Sequence, residues 1–227
     1  MIRFPKILFV TGTDTDVGKT FISALLTKGL QGGYWKPVQT GQEYDRRWVE
    51  THTQLPFFHF FSERFLLQKP LCPYLAAEEE KCTIQLSDFT LPNFSPLPHL
   101  IIEGCGGVLV PLNEEHFVID LAAMWKLPLL IVARNSLGTI NHTLLTIKEI
   151  RRRSLPIFGV ILNGKKEPFH KECIERFGRV SVLAEIEKEE DLSPARFDQI
   201  FSETFGAKNL ALKSPPGPRS PGSGGLG

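Results

Sequence analysis

The chain has 227 residues, 42% hydrophobic and 22% charged, a composition that argues against disorder over most of its length. With 26 basic against 25 acidic residues, a formal net charge of +1 offers no broad field for nucleic acid or an anionic membrane, and neither is an expected partner. The longest apolar runs, such as Ile7 to Val10 and Leu129 to Ala133, fall far short of the roughly 20 residues that cross a bilayer. The N-terminus lacks the long apolar stretch and small-residue cleavage site of a secretory signal, so a cytoplasmic location is expected. Cys72, Cys82, Cys105 and Cys173 lie far apart with no C-x-x-C spacing, which favours reduced thiols over a disulfide framework or zinc ribbon.

In chain order, Lys6 to Val10 reads as a buried strand that runs into a Gly- and Asp-containing loop. From Thr20, the apolar residues Phe21, Ile22, Leu25, Leu26 and Leu30 recur at helical spacing, and Gly32-Gly33 are expected to close the helix. Tyr34 to Val38 is expected as a second strand. The segment Arg46 to Pro98, rich in Phe and Pro, carries no clear period. Further strands are predicted at Leu100 to Glu103, Leu129 to Ala133 and Ile157 to Leu162. Helices are predicted at Phe117 to Trp125, Thr139 to Arg153, Pro168 to Phe177 and Pro194 to Phe205.

Apolar strands that alternate with amphipathic helices imply an α/β fold with a doubly wound, mostly parallel sheet, which the Gly18-Lys19-Thr20 turn after the first strand makes P-loop NTPase-like. The length predicts a single domain over residues 1–213. The tail 214–227 is almost all Pro, Gly and Ser, cannot build a core and is expected to be disordered. Such sheets bind ligands beyond the carboxyl ends of their strands, which directs attention to polar residues just after each apolar run.

The first such run is followed by Gly12-Thr13-Asp14-Thr15-Asp16-Val17-Gly18-Lys19-Thr20. In a phosphate loop the backbone N–H groups and the helix N-terminus surround phosphate oxygens, Lys19 reaches the β- and γ-phosphates, and the Thr20 hydroxyl ligates magnesium. The usual spacing would put the first glycine at Thr13, and Gly12 stands one residue early. An ordinary Gly-containing turn with a solvated lysine is the alternative. Glu103 ends the run Leu100-Ile101-Ile102 and precedes Gly104-Cys105-Gly106-Gly107, where a carboxylate serves either as a second metal acid or as a loop cap or lysine partner. Lys36 follows the second strand and by the carboxyl-end rule faces the same cleft as Lys19, although a lone lysine there is usually solvated.

The loop GTDTDVGKT, the runs YWKPVQTG and EGCGGVLVPL, and the helix start LGTINHTLLT, in this order, resemble the dethiobiotin synthetase family over about the first 165 residues. The segment Cys72-Pro73-Tyr74-Leu75-Ala76-Ala77 is similar to that family's S-P-H-x-A-A, with Cys and Tyr in place of Ser and His. The resemblance implies a Mg2+- and ATP-dependent carboligase that forms dethiobiotin from 7,8-diaminononanoate and CO2 through a carbamate and a carbamic-phosphoric anhydride. It implies catalytic Lys19 and Lys36. It also implies ATP contacts from Asp14, Thr15, Asp16, Val17, Gly18, Lys19, Thr20 and Asn163, the last as the adenine-binding residue. Thr15, Lys36 and Thr40 would face the diamine. The substrate carboxylate would rest on Gly138, Thr139 and Asn141 at a helix N-terminus of the second subunit of a homodimer.

Metal ligands implied by the resemblance are Thr20, Glu103 and an Asp, for which Asp45 is the nearest candidate and Glu50 the fallback. The family's G-x-I-P adenine loop reads Ala184-Glu185-Ile186-Glu187 here, which leaves nucleotide selectivity open. His142 is expected to pack or hydrogen-bond locally rather than ligate metal, and Cys105 to pack. The alternative function is a regulatory or partitioning P-loop ATPase, whose loop usually reads K-G-G-x-G-K-[ST] where this chain carries Asp14 and Asp16.

Overall fold

The structure, a computed structural model, describes residues 2–206, so the tail expected over 214–227 lies outside the described residues. The elements run β1 (Ile7–Gly12), α1 (Lys19–Leu30), β2 (Gly33–Trp35), β3 (Val38–Thr40), α2 (Asp45–Thr53), β4 (Phe60–Phe61), β5 (Phe65–Leu67), α3 (Pro73–Glu79) and β6 (Leu100–Gly107). They continue with α4 (Val118–Met124), β7 (Leu129–Arg134), α5 (Thr139–Arg152), β8 (Ile157–Asn163), α6 (Pro168–Gly178), β9 (Val182–Ile186) and α7 (Pro194–Phe205). Seven strands form one sheet in the order β4-β2-β6-β1-β7-β8-β9, with β1 at its centre and every described pairing parallel.

Parallel strands need helical crossovers, which bury both faces of the sheet, and the strand residues divide accordingly with period two. Leu8, Val10, Tyr34, Ile101, Leu130, Val132 and Ile161 pack on one face with Ile22, Leu25 and Leu26 of α1 and Phe197 and Ile200 of α7. Phe9, Trp35, Leu100, Ile102, Leu129, Ile131 and Ala133 pack on the other with Val118 of α4, Ile147 and Ile150 of α5, and Ile174 of α6. The predicted strands and helices thus form, with β1 and β6 running further toward the carboxyl rim than the apolar runs suggest.

Two expectations are corrected. The continuous strand expected over Tyr34 to Val38 is broken at Lys36-Pro37, and β3 leaves the main sheet to pair with β5 in a separate two-stranded parallel sheet. Proline has no N–H to give a ladder. The Pro37 carbonyl instead accepts from the Arg64 and Phe65 N–H groups. The helix α1 is closed by Gln31 in the left-handed region, φ 51°, rather than by the Gly32-Gly33 pair. Gly32 is needed for close packing, since a Cβ there would stand 3.0 Å from the His99 carbonyl oxygen.

Candidate active site

The carboxyl rim of the central strands carries the loop from β1 to α1. The early Gly12 has a steric reason: a Cβ there would lie 2.7 Å from the Asp14 carbonyl oxygen and 2.9 Å from the Val17 side chain, because the loop folds back across it. Asp16 (φ 55°) and Gly18 (φ 95°) adopt left-handed backbone, the alternation that turns successive N–H groups inward as an anion nest. The Lys19 ammonium donates to the Asp14 carbonyl at 3.0 Å and spans the loop mouth. Burial lowers its pKa, with the Glu103 carboxylate opposing that shift.

Asn163, at the end of β8, donates its amide to the Val17 carbonyl at 2.9 Å, so one of its two N–H donors braces the loop. A Cβ on Gly18 would fall 2.0 Å from that amide nitrogen. Arg134, at the end of β7, donates to the Thr15 carbonyl at 3.4 Å and lies 3.9 Å from the Asp14 carboxylate. Sequence reasoning did not single out Arg134; its place just after an apolar run was the available signal.

Glu103 is the hub. Its side chain is 0% exposed, and a carboxylate so buried must be paired and bonded. Its Oε1 accepts from the Thr20 hydroxyl at 2.9 Å and from the Lys36 ammonium at 3.1 Å, while Oε2 accepts from the Tyr34 hydroxyl at 3.0 Å. The register explains the meeting. Trp35 pairs with Ile102, so Lys36 comes opposite Glu103 one step further along. The Lys36 ammonium also donates to the Asp45 carboxylate. Burial alone would depress the Lys36 pKa, but Glu103 and Asp45 together hold it above the ordinary lysine value.

Asp45 reaches Lys36 because Gln39 ties down the intervening turn. The Gln39 side chain donates to the Thr40 and Glu43 carbonyls at 2.9 and 2.7 Å and accepts from the Asp45 N–H at 3.2 Å. Neither Gln39 nor Tyr34 stood out in the sequence, where Tyr34 read as a strand residue and Gln39 as the residue just past that strand. Glu50, the fallback acid, is one turn further along α2 and pairs with Arg46 at 2.6 Å.

These groups line an open cleft of about 1100 Å3. Its floor is Thr15, Asp16, Gly18, Lys19, Thr20, Lys36, Asp45 and Glu103, and its far wall is Thr40 with the segment 68–73 ahead of α3. Cys105 also lines it, with its thiol pushed up to about 11, chiefly by burial, and therefore protonated at neutral pH rather than poised as a nucleophile. Gly138, Thr139 and Asn141 begin α5 elsewhere: none lines this cleft, and the neighbouring Leu137 is 99% exposed. The His142 N–H bonds within its own first helical turn, to the Gly138 carbonyl. Among the described residues no three His, Cys, Asp or Glu gather as a metal cluster. Thr20, Asp45 and Glu103 offer oxygen donors only, a set suited to a hard divalent cation completed by phosphate oxygens and water.

A family model described as an AAA domain matches residues 6–196. The ATP-dependent dethiobiotin synthetase BioD of Paramagnetospirillum magneticum is 46% identical over 180 residues, covering 79% of this chain and 87% of that protein. The same-named protein of Afipia carboxidovorans is 40% identical over 205 residues, 89% of this chain and 97% of that one. The biotin biosynthesis bifunctional protein BioCD of Bordetella avium is 44% identical over 215 residues, 93% of this chain but 46% of that protein. Among solved structures, a ParA family ATPase from Chlorobium tepidum TLS shares the fold with a TM-score of 0.54 at 15% identity, over 88% of this chain and 95% of that one.

Proposed function

The chain belongs to the ATP-dependent dethiobiotin synthetase family, and from that premise we propose that it closes the ureido ring of dethiobiotin from 7,8-diaminononanoate, CO2 and ATP, releasing ADP and phosphate. The observation that carries the proposal is that Lys19 and Lys36 line one cleft, with Glu103 accepting both from Lys36 and from the Thr20 that follows Lys19.

In this reading one substrate amine captures CO2 as a carbamate. A carbamate oxygen attacks the γ-phosphorus, the bond to the β-phosphate oxygen breaks, and the second amine then attacks the carbamoyl carbon and expels phosphate. Such transfer asks the protein for alignment and charge neutralisation more than for covalent chemistry. The nest from Asp14 to Thr20 holds the β- and γ-phosphates on its N–H groups, and Lys19, released from the Asp14 carbonyl, follows the γ-phosphoryl charge. Lys36 faces the carbamate and the equatorial oxygens. Thr15 and Thr40 flank the diamine. Thr20, Asp45 and Glu103 would hold Mg2+, which when bound neutralises phosphate oxygens. Asn163, placed against the loop, is read as the adenine contact.

The diamine carboxylate is assigned to Gly138, Thr139 and Asn141 of a second copy in a homodimer. The support is the exposure of Gly138 and Asn141, on either side of the buried Thr139, at a helix N-terminus outside the chain's own cleft. Residues 1–213 are taken as one carboligase unit acting in the cytoplasm. Among the described residues no helix is long and apolar enough to cross a membrane. The test is to supply diamine, bicarbonate, Mg2+ and ATP together. Diamine-dependent ADP release with a cyclic urea product is expected, and ATP hydrolysis indifferent to the diamine would reject the reading in favour of a partner-controlled ATPase.

A further inference from the structure

Glu103 has two oxygens, and the structure divides their work. Oε1 faces the cleft partners Thr20 and Lys36, whereas among the described residues Oε2 is bonded by Tyr34 alone, at 3.0 Å. Tyr34 is 0% exposed and does not line the cleft, so it touches neither nucleotide nor diamine.

Strand geometry makes this contact specific to a tyrosine. Tyr34 pairs with Ile101 on the adjacent strand, and Glu103 lies two residues beyond Ile101, on the same face and diagonally across from Tyr34. A diagonal neighbour on adjacent strands is within reach of an aromatic side chain but not of a short hydroxyl. A phenylalanine would fill the same apolar space beside Leu8, Val10 and Ile101 and would deliver no donor. A carboxylate with one free oxygen can rotate about its last bond. With Oε2 anchored, Oε1 is fixed toward Thr20 and Lys36.

We propose that Tyr34 is a positioning residue for the divalent cation, acting through Glu103: its hydroxyl locks Oε2 so that Oε1 is presented to the metal together with the Thr20 hydroxyl. The proposal rests on Glu103 being a metal ligand in the function proposed above. Partners that orient a ligating carboxylate typically carry 10- to 100-fold of metal affinity.

The experiment measures Mn2+ binding by electron paramagnetic resonance on the full chain with ADP, for wild type, Tyr34→Phe, Tyr34→Leu and Glu103→Gln. Ile101→Val serves as a packing control. Melting temperature and metal-free ADP affinity report the fold independently. The expected result is metal affinity weakened about tenfold or more in both Tyr34 variants, still weaker in Glu103→Gln, and unchanged in Ile101→Val, with metal-free ADP affinity preserved throughout. In turnover, the two Tyr34 variants should raise the Mg2+ concentration for half-maximal rate while kcat at saturating Mg2+ changes less than about threefold. Wild-type metal affinity in Tyr34→Phe would overturn the proposal. So would Glu103→Gln binding metal as wild type does, or metal loss that tracks loss of metal-free ADP binding. Failure of the carboligase reading would show separately, as wild-type protein that binds metal and nucleotide yet gives no diamine-dependent product.

Discussion

Lys36 and Glu103 face each other across adjacent parallel strands, with the ammonium 3.1 Å from Oε1 of a carboxylate entirely withdrawn from water. Neither charge is tolerable there alone. Removing one partner of a buried pair typically costs about 3–5 kcal/mol, because the other is left uncompensated, whereas replacing both by neutral groups costs far less. Lys36→Met should therefore lower stability to denaturant by that order, and Lys36→Met with Glu103→Gln should recover most of it. Turnover should recover in neither. A double variant as unstable as the single one would mean that the pair does not govern this part of the fold.

Among the described residues Lys19 makes one hydrogen bond through its ammonium, to a loop carbonyl, so its loss should be felt in chemistry rather than folding. Lys19→Ala should lower kcat/KM for ATP by about 10²–10³, the scale of losing one preorganised cation or donor at a developing charge. Its denaturant midpoint should move by the equivalent of about 1 kcal/mol or less. Steady-state kinetics and urea unfolding on the same preparation distinguish the two.

Gly18→Ala tests the loop's backbone geometry. The new methyl meets both a φ of 95° and the Asn163 amide 2.0 Å away. Adding Asn163→Ala removes the collision but leaves the left-handed strain of about 1–2 kcal/mol. Nucleotide binding measured by calorimetry should be lost in the single variant and only partly restored in the double. Full restoration would show that the amide, and not the backbone, requires glycine.

Glu149 on α5 is held below its ordinary pKa, first by its hydrogen bond from Arg152 and then by Arg153. The folded state therefore binds fewer protons than the unfolded state below about pH 4.5, and stability falls with pH as the folded carboxylate is protonated. Glu149→Gln should flatten the dependence of melting temperature on pH below about 4.5 and leave the neutral range unaltered in slope. An unchanged acid limb would mean that the two arginines do not hold this carboxylate in solution.

The proposed shared site predicts complementation. Asn141→Asp places a negative charge at the start of α5, which the helix tolerates but the diamine carboxylate does not, so KM for the diamine should rise about tenfold. Mixing unfolded-and-refolded Lys36→Ala and Asn141→Asp chains should regain activity above either parent, because one site in the mixed dimer is then intact. No gain on mixing would place the carboxylate within a single chain.

Much of the fold was legible because apolar strands and helical spacing are local signals. Leu129 to Ala133 and Pro194 to Phe205 stand where they were expected. The phosphate loop was equally plain, since Gly18-Lys19-Thr20 is contiguous. The remainder depended on distant partners. The two-residue β4 and the short β5 have no period to detect and exist because Tyr34 and Val38 offer them ladders. Tyr34 reads as a strand residue and Gln39 as a residue just past it until register and turn place their polar ends on Glu103 and on the Asp45 backbone. The choice between Asp45 and Glu50 needed the third dimension, because only the first residue of α2 reaches Lys36 while Glu50 pairs with Arg46.

The interruption at Pro37 has a wider meaning. The strands that lead to Lys19 and Lys36, β1 and β2, belong to the seven-stranded sheet, while Thr40 and residues 68–73 of the opposite wall adjoin the separate pair β3 and β5. The Cys72 and Tyr74 departures lie in and beside this wall, the side of the cleft that the proposed function gives to the diamine, so a change of organic substrate would be sought there first.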